Sequence, residues 1–96
     1  KADLLQGVGE TGSIAAAGRD LGMSYKKAWG LIEALNAQFG TPLVTTSRGG
    51  STRGGAELTD LGHKVLEQYR KMEAKTEKAI AGDLIAMRKL LPNGGA

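Results

Sequence analysis

The sequence has no cysteine, one histidine, two prolines and only four aromatic residues (one Trp, two Tyr, one Phe). Without cysteine there is no disulfide, thiolate metal site or cysteine nucleophile, and nothing calls for an oxidising compartment. The single histidine removes most general-base schemes, and no nucleophile, acid and base fall into a recognisable motif, so the sequence argues against an enzyme. No run of about eighteen apolar residues is present, nor a charged start followed by an apolar block. The expected location is therefore the cytoplasm, with no membrane partner. The chain begins at Lys1 rather than Met, which leaves its N-terminal boundary open.

What is present is ordinary for a folded chain: 96 residues, 41% hydrophobic and 24% charged. That length supports one domain with a modest core, so any function sits on the surface or at a seam between copies. The net charge of +3 permits an acidic partner such as nucleic acid without requiring one.

Leu4, Leu5 and Val8 recur at helical spacing and predict a first helix over 2–10, weakened by Gly7 and Gly9 at about 1 kcal/mol each. Ser13 can cap a second, alanine-rich helix over 14–21 that ends at Gly22. Ser24 can cap a third, in which Ala28, Ile32, Leu35 and Phe39 form one apolar stripe; Gly40 then supplies a left-handed cap and Pro42 blocks resumption. "LVTTS" and "AEL" read as two short strands joined by a long glycine-rich turn, "RGGSTRGG". Thr59 can cap a fourth helix, with Asp60 suited to its positive end, and no proline interrupts the chain before Pro92. Such a helix is roughly 45 Å long, longer than a domain of this size is wide.

Two short helices joined by "GMS", the second presenting Lys26 and Lys27 in its first turn, have the layout of a helix-turn-helix. A helix start attracts phosphate through its free amides and dipole, and the lysines add to that attraction. Tyr25, Lys26, Lys27 and Gly30 lie away from the apolar stripe and can face DNA. Between Arg19 and Arg53, five basic residues (Arg19, Lys26, Lys27, Arg48, Arg53) meet two acidic ones, Asp20 and Glu33.

"GSIAAAGRDLGMSYKKAWGLIEALNAQFGTPLV" followed by "LTDLGHKVL" resembles the winged helix-turn-helix of LysR-type regulators. "SYKKAW" and the glycine–arginine segment are further similar to the DNA-binding domain of ModE-type, molybdate-responsive repressors. The resemblance runs over roughly residues 4 to 80. It implies that the glycine-rich hairpin is a wing reaching DNA, and that the helix after it makes a dimer. In that family molybdate is held by separate small β-barrel domains after the long helix. The sequence closes on "PNGGA" with no such domain, so no cofactor is expected for these residues, and either a stand-alone DNA-binding member or a piece of a longer regulator is implied. The family's initial strand, before the first helix, has no counterpart here.

Other readings of the same residues are weaker. A nucleotide-binding P-loop requires GxxxxGK[ST] between a strand and a helix, whereas this segment has no lysine and leads into "AEL". A mere linker leaves Arg48, Arg53 and the flanking strand formers unexplained. Trp29 suits packing between helices or against the hairpin better than base stacking. His63 and Glu67 share a helix face, but two ligands do not make a metal site. The long helix carries lysines and arginines that suggest a membrane anchor, yet six acidic residues (Glu57, Asp60, Glu67, Glu73, Glu77, Asp83) nearly cancel them, and Glu67 and Lys71 make a favourable i,i+4 pair.

The expectation is a mainly α (α+β) winged helix-turn-helix with a two-stranded wing and a long C-terminal dimerisation helix, residues 1–58 forming the DNA-binding unit and 59–96 the dimer helix and tail. Double-stranded DNA would be met by Ser13, Ser24, Tyr25, Lys26, Lys27, Gly30, Arg48 and Arg53. A second copy would be met by Leu61, Val65, Tyr69, Met72, Thr76, Ile80 and Leu84. The family resemblance implies a repressor tied to molybdate uptake or molybdenum enzymes. The rival expectation is a winged-helix protein-interaction or dimerisation module without specific DNA binding.

Overall fold

Three hydroxyl groups set three of the helix starts. In the computed structural model, which describes residues 1–49 and 52–95, Ser13 Oγ accepts the Ala16 amide at 3.1 Å, Ser24 Oγ the Lys27 amide at 3.1 Å and Thr59 Oγ1 the Gly62 amide at 3.0 Å. Each satisfies an amide that a helix start leaves without an intrahelical acceptor. The elements are α1 (Ala2–Thr11), α2 (Ile14–Asp20), α3 (Tyr25–Phe39), β1 (Val44–Gly49), β2 (Thr52–Leu58) and α4 (Asp60–Lys89), closed by a 3-10 turn at Pro92–Gly95. Helix α3 ends where Gly40 takes a left-handed φ of 71°, as the sequence predicts.

The two strands pair antiparallel from Val44↔Leu58 to Gly49↔Thr52, with an irregularity between Ser47 and Gly49. The long turn expected between them is corrected: the strands run into the glycine-rich segment and leave only residues 50 and 51 between their ends. Ladder hydrogen bonds need backbone amides and carbonyls, not side chains, so glycine weakens a strand without abolishing it. The hairpin is tied back to the body by the Ala56 amide, which donates to the Gly12 carbonyl at 2.9 Å.

The core is apolar throughout. Leu4, Leu5 and Val8 of α1 meet Ile14 and Ala17 of α2, Ala28, Ile32 and Leu35 of α3, and Leu43, Val44, Ala56 and Leu58 from the hairpin base. Phe39 departs from expectation: it is 45% exposed, because the buried side of α3 ends at Leu35 and the last turn overhangs a groove beside α4.

Helix α4 is fastened at two points. At the first, the Thr59 amide donates to the Leu43 carbonyl at 2.9 Å and the Thr59 hydroxyl donates to the Pro42 carbonyl at 2.8 Å. Asn36 Oδ1 accepts the Leu43 amide at 2.8 Å, so the end of α3 joins the same knot. Gly62 then lies so close to the Leu43 carbonyl oxygen that a Cβ would overlap it. At the second point, Arg70 reaches α1: Nη2 donates to Asp3 Oδ1 at 2.9 Å, and Nε and Nη2 donate to Gln6 Oε1 at 3.0 and 2.6 Å. Its Nη1 donates to Glu73 Oε1 at 2.8 Å. Among the described residues the ion pairs of α4 are those of Arg70, not the expected Glu67–Lys71 pair. Beyond Glu73 every residue of the helix is exposed.

Gly62→Ala is expected to lower stability by about 1–3 kcal/mol, the usual cost of forcing an extra carbon into a filled space. Gly82, on the free part of α4, is the control, since among the described residues an added Cβ there would meet nothing within 4 Å beyond its own helix backbone; Gly82→Ala should raise stability by about 0.5–1 kcal/mol. Denaturant melts of the two variants check this, and effects of equal sign would contradict it. The hydrogen bond and charge of Arg70 hold the Asp3 carboxyl below the ordinary carboxylate range. A depressed carboxyl stabilises the fold at and above its ordinary range and loses that effect as pH falls through the depressed value. Wild type should therefore outlast Asp3→Asn in melts at neutral pH, and the gap should close in acid; a gap independent of pH contradicts the assignment.

Candidate nucleic-acid interface

Helix α3 presents its two sides to different surroundings. Ala28, Ile32 and Leu35 face inward, while Tyr25, Lys26, Lys27 and Gly30 are exposed on the opposite side. The periodicity of 3.6 residues produces this separation directly. Because the Lys27 amide is held by Ser24, the free donors at the helix start are those of Tyr25 and Lys26, aimed outward with the dipole. Among the described residues no carboxylate pairs with Lys26 or Lys27, so both charges are available to an anion.

Helix α2 crosses close beneath. A Cβ at Gly18 would stand 2.9 Å from the Ala28 Cβ, so the missing side chain there lets the two helices of the turn approach closely. Ser13, half-buried at the start of α2, spends one lone pair on its cap and keeps its hydroxyl proton. Between the starts of α2 and α3 and the root of the wing lies a recess of about 250 Å³, lined by Ser13, Ile14, Ala15, Tyr25, Trp29, Thr46, Ser47, Gly55 and Ala56. Trp29 is half-buried against the core, on the hairpin side as expected, and Tyr25 stands edge-on to it, with ring centroids 6.2 Å apart and planes at 82°. Such edge-to-face pairs contribute about 0.5–1.5 kcal/mol beyond burial, and here one holds an exposed ring upright at the helix start.

Arg48 and Arg53 lie on the wing strands, but their side chains fall outside the described residues, as do Gly50 and Ser51 altogether.

The apolar stripe of α4 divides in two. Leu61 and Val65 are partly buried against the core of their own chain. Tyr69, Met72, Thr76, Ile80 and Leu84 are exposed, with Tyr69 and Met72 at 47% and 54%. Thr76 donates its hydroxyl to the Met72 carbonyl, so its polarity is spent within the helix. Phe39, Val65, Tyr69 and Met72 together line an open apolar groove. Asn36 and Arg70, which seat this whole arrangement, escape a reading of the sequence because their partners lie 7–8 and 64–67 residues away.

Among the described residues no three His, Cys, Asp or Glu side chains are placed to hold a metal ion. No polar or charged side chain is buried among them. No helix of the described residues is long and apolar enough to cross a membrane.

Comparison with known proteins agrees with this geometry. The family of bacterial regulatory helix-turn-helix proteins, lysR family, matches residues 2–63. The molybdenum-pterin-binding protein MopB of Rhodobacter capsulatus is 44% identical over 78 residues, which is 81% of this chain and 29% of that protein. The DNA-binding transcriptional dual regulator ModE of Escherichia coli K12 is 34% identical over 89 residues, 93% of this chain and 33% of that protein. The chain thus spans about a third of the length of these relatives. In structure it matches the crystal structure of a CbnR DBD–DNA complex with a TM-score of 0.72 and 29% identity, covering 91% of this chain and 94% of that one. With the family match extending over most of its length and the same helix-turn-helix and wing in place, the chain belongs to the lysR family of bacterial regulatory helix-turn-helix proteins.

Proposed function

We propose that this chain is a homodimeric, sequence-specific DNA-binding transcriptional regulator, acting as a repressor on genes for molybdate uptake or molybdenum enzymes. Residues 1–58 serve as the DNA-binding unit and residues 59–96 as the dimer helix and tail. The observation that carries the reading is the start of α3, where Tyr25, Lys26, Lys27 and Gly30 stand exposed opposite a buried stripe and, among the described residues, neither lysine meets a carboxylate. The likeness to a protein solved on DNA, over nearly the full length of both chains, supports the same reading. The molybdenum connection rests on the relative named as a molybdenum-pterin-binding protein, MopB.

In this reading α3 enters the major groove, with Lys26 and Lys27 on phosphates or base edges. Ser13 and Ser24 donate hydroxyl protons to phosphate, and the wing residues Arg48 and Arg53 hold the backbone or the minor groove. A second copy covers Tyr69, Met72, Thr76, Ile80 and Leu84, with Leu61 and Val65 at the inner end of that seam. A twofold dimer then reads a palindromic operator.

Mobility shifts on genomic fragments across a salt series test the proposal. Lys27→Ala and Arg53→Ala should each weaken binding and reduce the slope of log affinity against log salt by about one for each phosphate no longer neutralised. Unchanged affinity and slope in both variants would remove these two residues from the DNA surface. A wild-type chain that binds no fragment even at low salt would favour the protein-docking reading.

Gly30 allows a sharper test. Among the described residues, none outside the local helix backbone comes within 4 Å of where a Cβ at Gly30 would stand, so its lack of a side chain serves no packing there. Gly30→Ala should stabilise the isolated protein by about 0.5–1 kcal/mol while weakening DNA binding, because only a bound duplex needs the space. Melting and binding measured on the same preparation check the pair, and a variant that binds DNA as well as wild type refutes the close approach.

A further inference from the structure

We infer that Arg70 is a positioning residue that sets the distance between the two half-sites of the operator. The inference rests on the dimeric DNA-binding reading above and adds to it the element that fixes dimer geometry. Helix α4 meets its own DNA-binding body first at Thr59 and Gly62, against Pro42 and Leu43. It meets the body last at Arg70, whose guanidinium holds Asp3 and Gln6 of α1 and also donates to Glu73 on its own helix. From Ala74 onward the helix is exposed. Two fixed points roughly 12 Å apart define the line along which the rest of α4 leaves the body.

Apolar packing holds only the inner end of α4, where Leu61, Val65 and Leu66 lie partly buried against the core. On one side of the seam, Leu5, Phe39, Val65, Leu66 and Tyr69 border an open groove of about 450 Å³. Another groove, of about 290 Å³, lies beside Asp3, Gln6 and Arg70. The closing contact between α1 and α4 is therefore the planar fork of Arg70, whose donor directions are rigid.

Small tilts there have large effects at the far end. Arg70 to Leu84 is about 21 Å along the helix. A tilt of roughly 10° about the anchor displaces the far end by about 3.5 Å, close to the ~3.4 Å rise of one base pair. In a dimer joined through the exposed half of α4, such a tilt changes the separation of the two α3 helices by that order. A held angle selects one spacer length, and a loosened angle accepts its neighbours.

The test is a binding series on duplexes carrying the two half-sites selected by the wild-type chain, with spacers varied one base pair at a time, alongside a duplex with a single half-site. Arg70→Ala removes the fork, Arg70→Lys keeps the charge without it, and Gln6→Ala removes two of its hydrogen bonds while leaving α4 intact. The expected result is a sharp spacer optimum in wild type. In all three variants the preference for that spacer over its neighbours should fall about threefold or more, with single-site affinity and base preference unchanged. A spacer profile that Arg70→Ala or Gln6→Ala leaves as sharp as wild type overturns the inference, and so does an equal loss on single and double sites. A wild-type chain that binds no duplex, or binds two half-sites no better than one, overturns the dimeric reading itself, and this proposal with it.

Discussion

Three elements of this chain meet at the peptide of Leu43. Its amide is held by Asn36 from the end of α3, and its carbonyl receives the Thr59 amide. Gly62 of α4 rests directly upon it, and its side chain is fully buried. The peptide also begins the wing, because β1 starts at the next residue. The positions of α3, of the hairpin and of α4 are therefore not three independent packing problems. They share one knot of hydrogen bonds, part-buried and so costly to leave unmade, at about 1–3 kcal/mol per orphaned group. A displacement at Leu43 would move the exposed side of α3, the wing root and the long helix together.

Because that knot and the apolar core carry most of the fold, the charged residues other than Arg70 and its partners Asp3 and Glu73 are released from structural duty. No polar or charged side chain is buried among the described residues, and Lys26 and Lys27 pair with no carboxylate there. Lysines left in water cost the folded state little, yet remain fully effective toward a polyanion at low salt. Ser24 is the exception. It caps α3 and also stands at the edge of the proposed DNA surface, so losing it would disturb stability and binding together, whereas Lys27 and Gly30 separate the two.

The features legible in the sequence were those decided within a few residues. Ser13, Ser24 and Thr59 cap their helices because a hydroxyl and the amide three residues on meet without outside help. Gly40 ends α3 for an equally local reason. The outward set on α3 was readable because one period of 3.6 governs all fifteen of its residues. What was not readable depended on distant partners. The strands extend into the glycine segment because each has the other to pair with, against their poor individual propensity. Phe39 keeps the stripe's spacing but not its burial, since the surface it would face is a groove rather than a helix. Arg70 looked like one of many charges on a long helix; only the fold brings Asp3 and Gln6 to it.

The exposed half of α4 bears on how much surface a second copy would have to cover. Tyr69, Met72, Ile80, Leu84 and Met87, with Leu91 just past the end of the helix, are each between 40% and 61% exposed. Covering what remains of such side chains contributes roughly 0.5–1 kcal/mol each, or on the order of 10 kcal/mol when two copies face one another. Association itself costs about 4–15 kcal/mol in lost freedom, so a seam made from these residues alone is marginal. The adjoining groove at Phe39 and Val65 runs into the same stripe and would add area where α4 is already held firmly by its own body. A dimer using both would bury a surface continuous with the core, and the rigidity of the Leu43 knot would pass into the seam. A dimer limited to the far end of the helix would lack that added area, and the placing of its two DNA-binding bodies would depend on the anchors at Thr59, Gly62 and Arg70 alone.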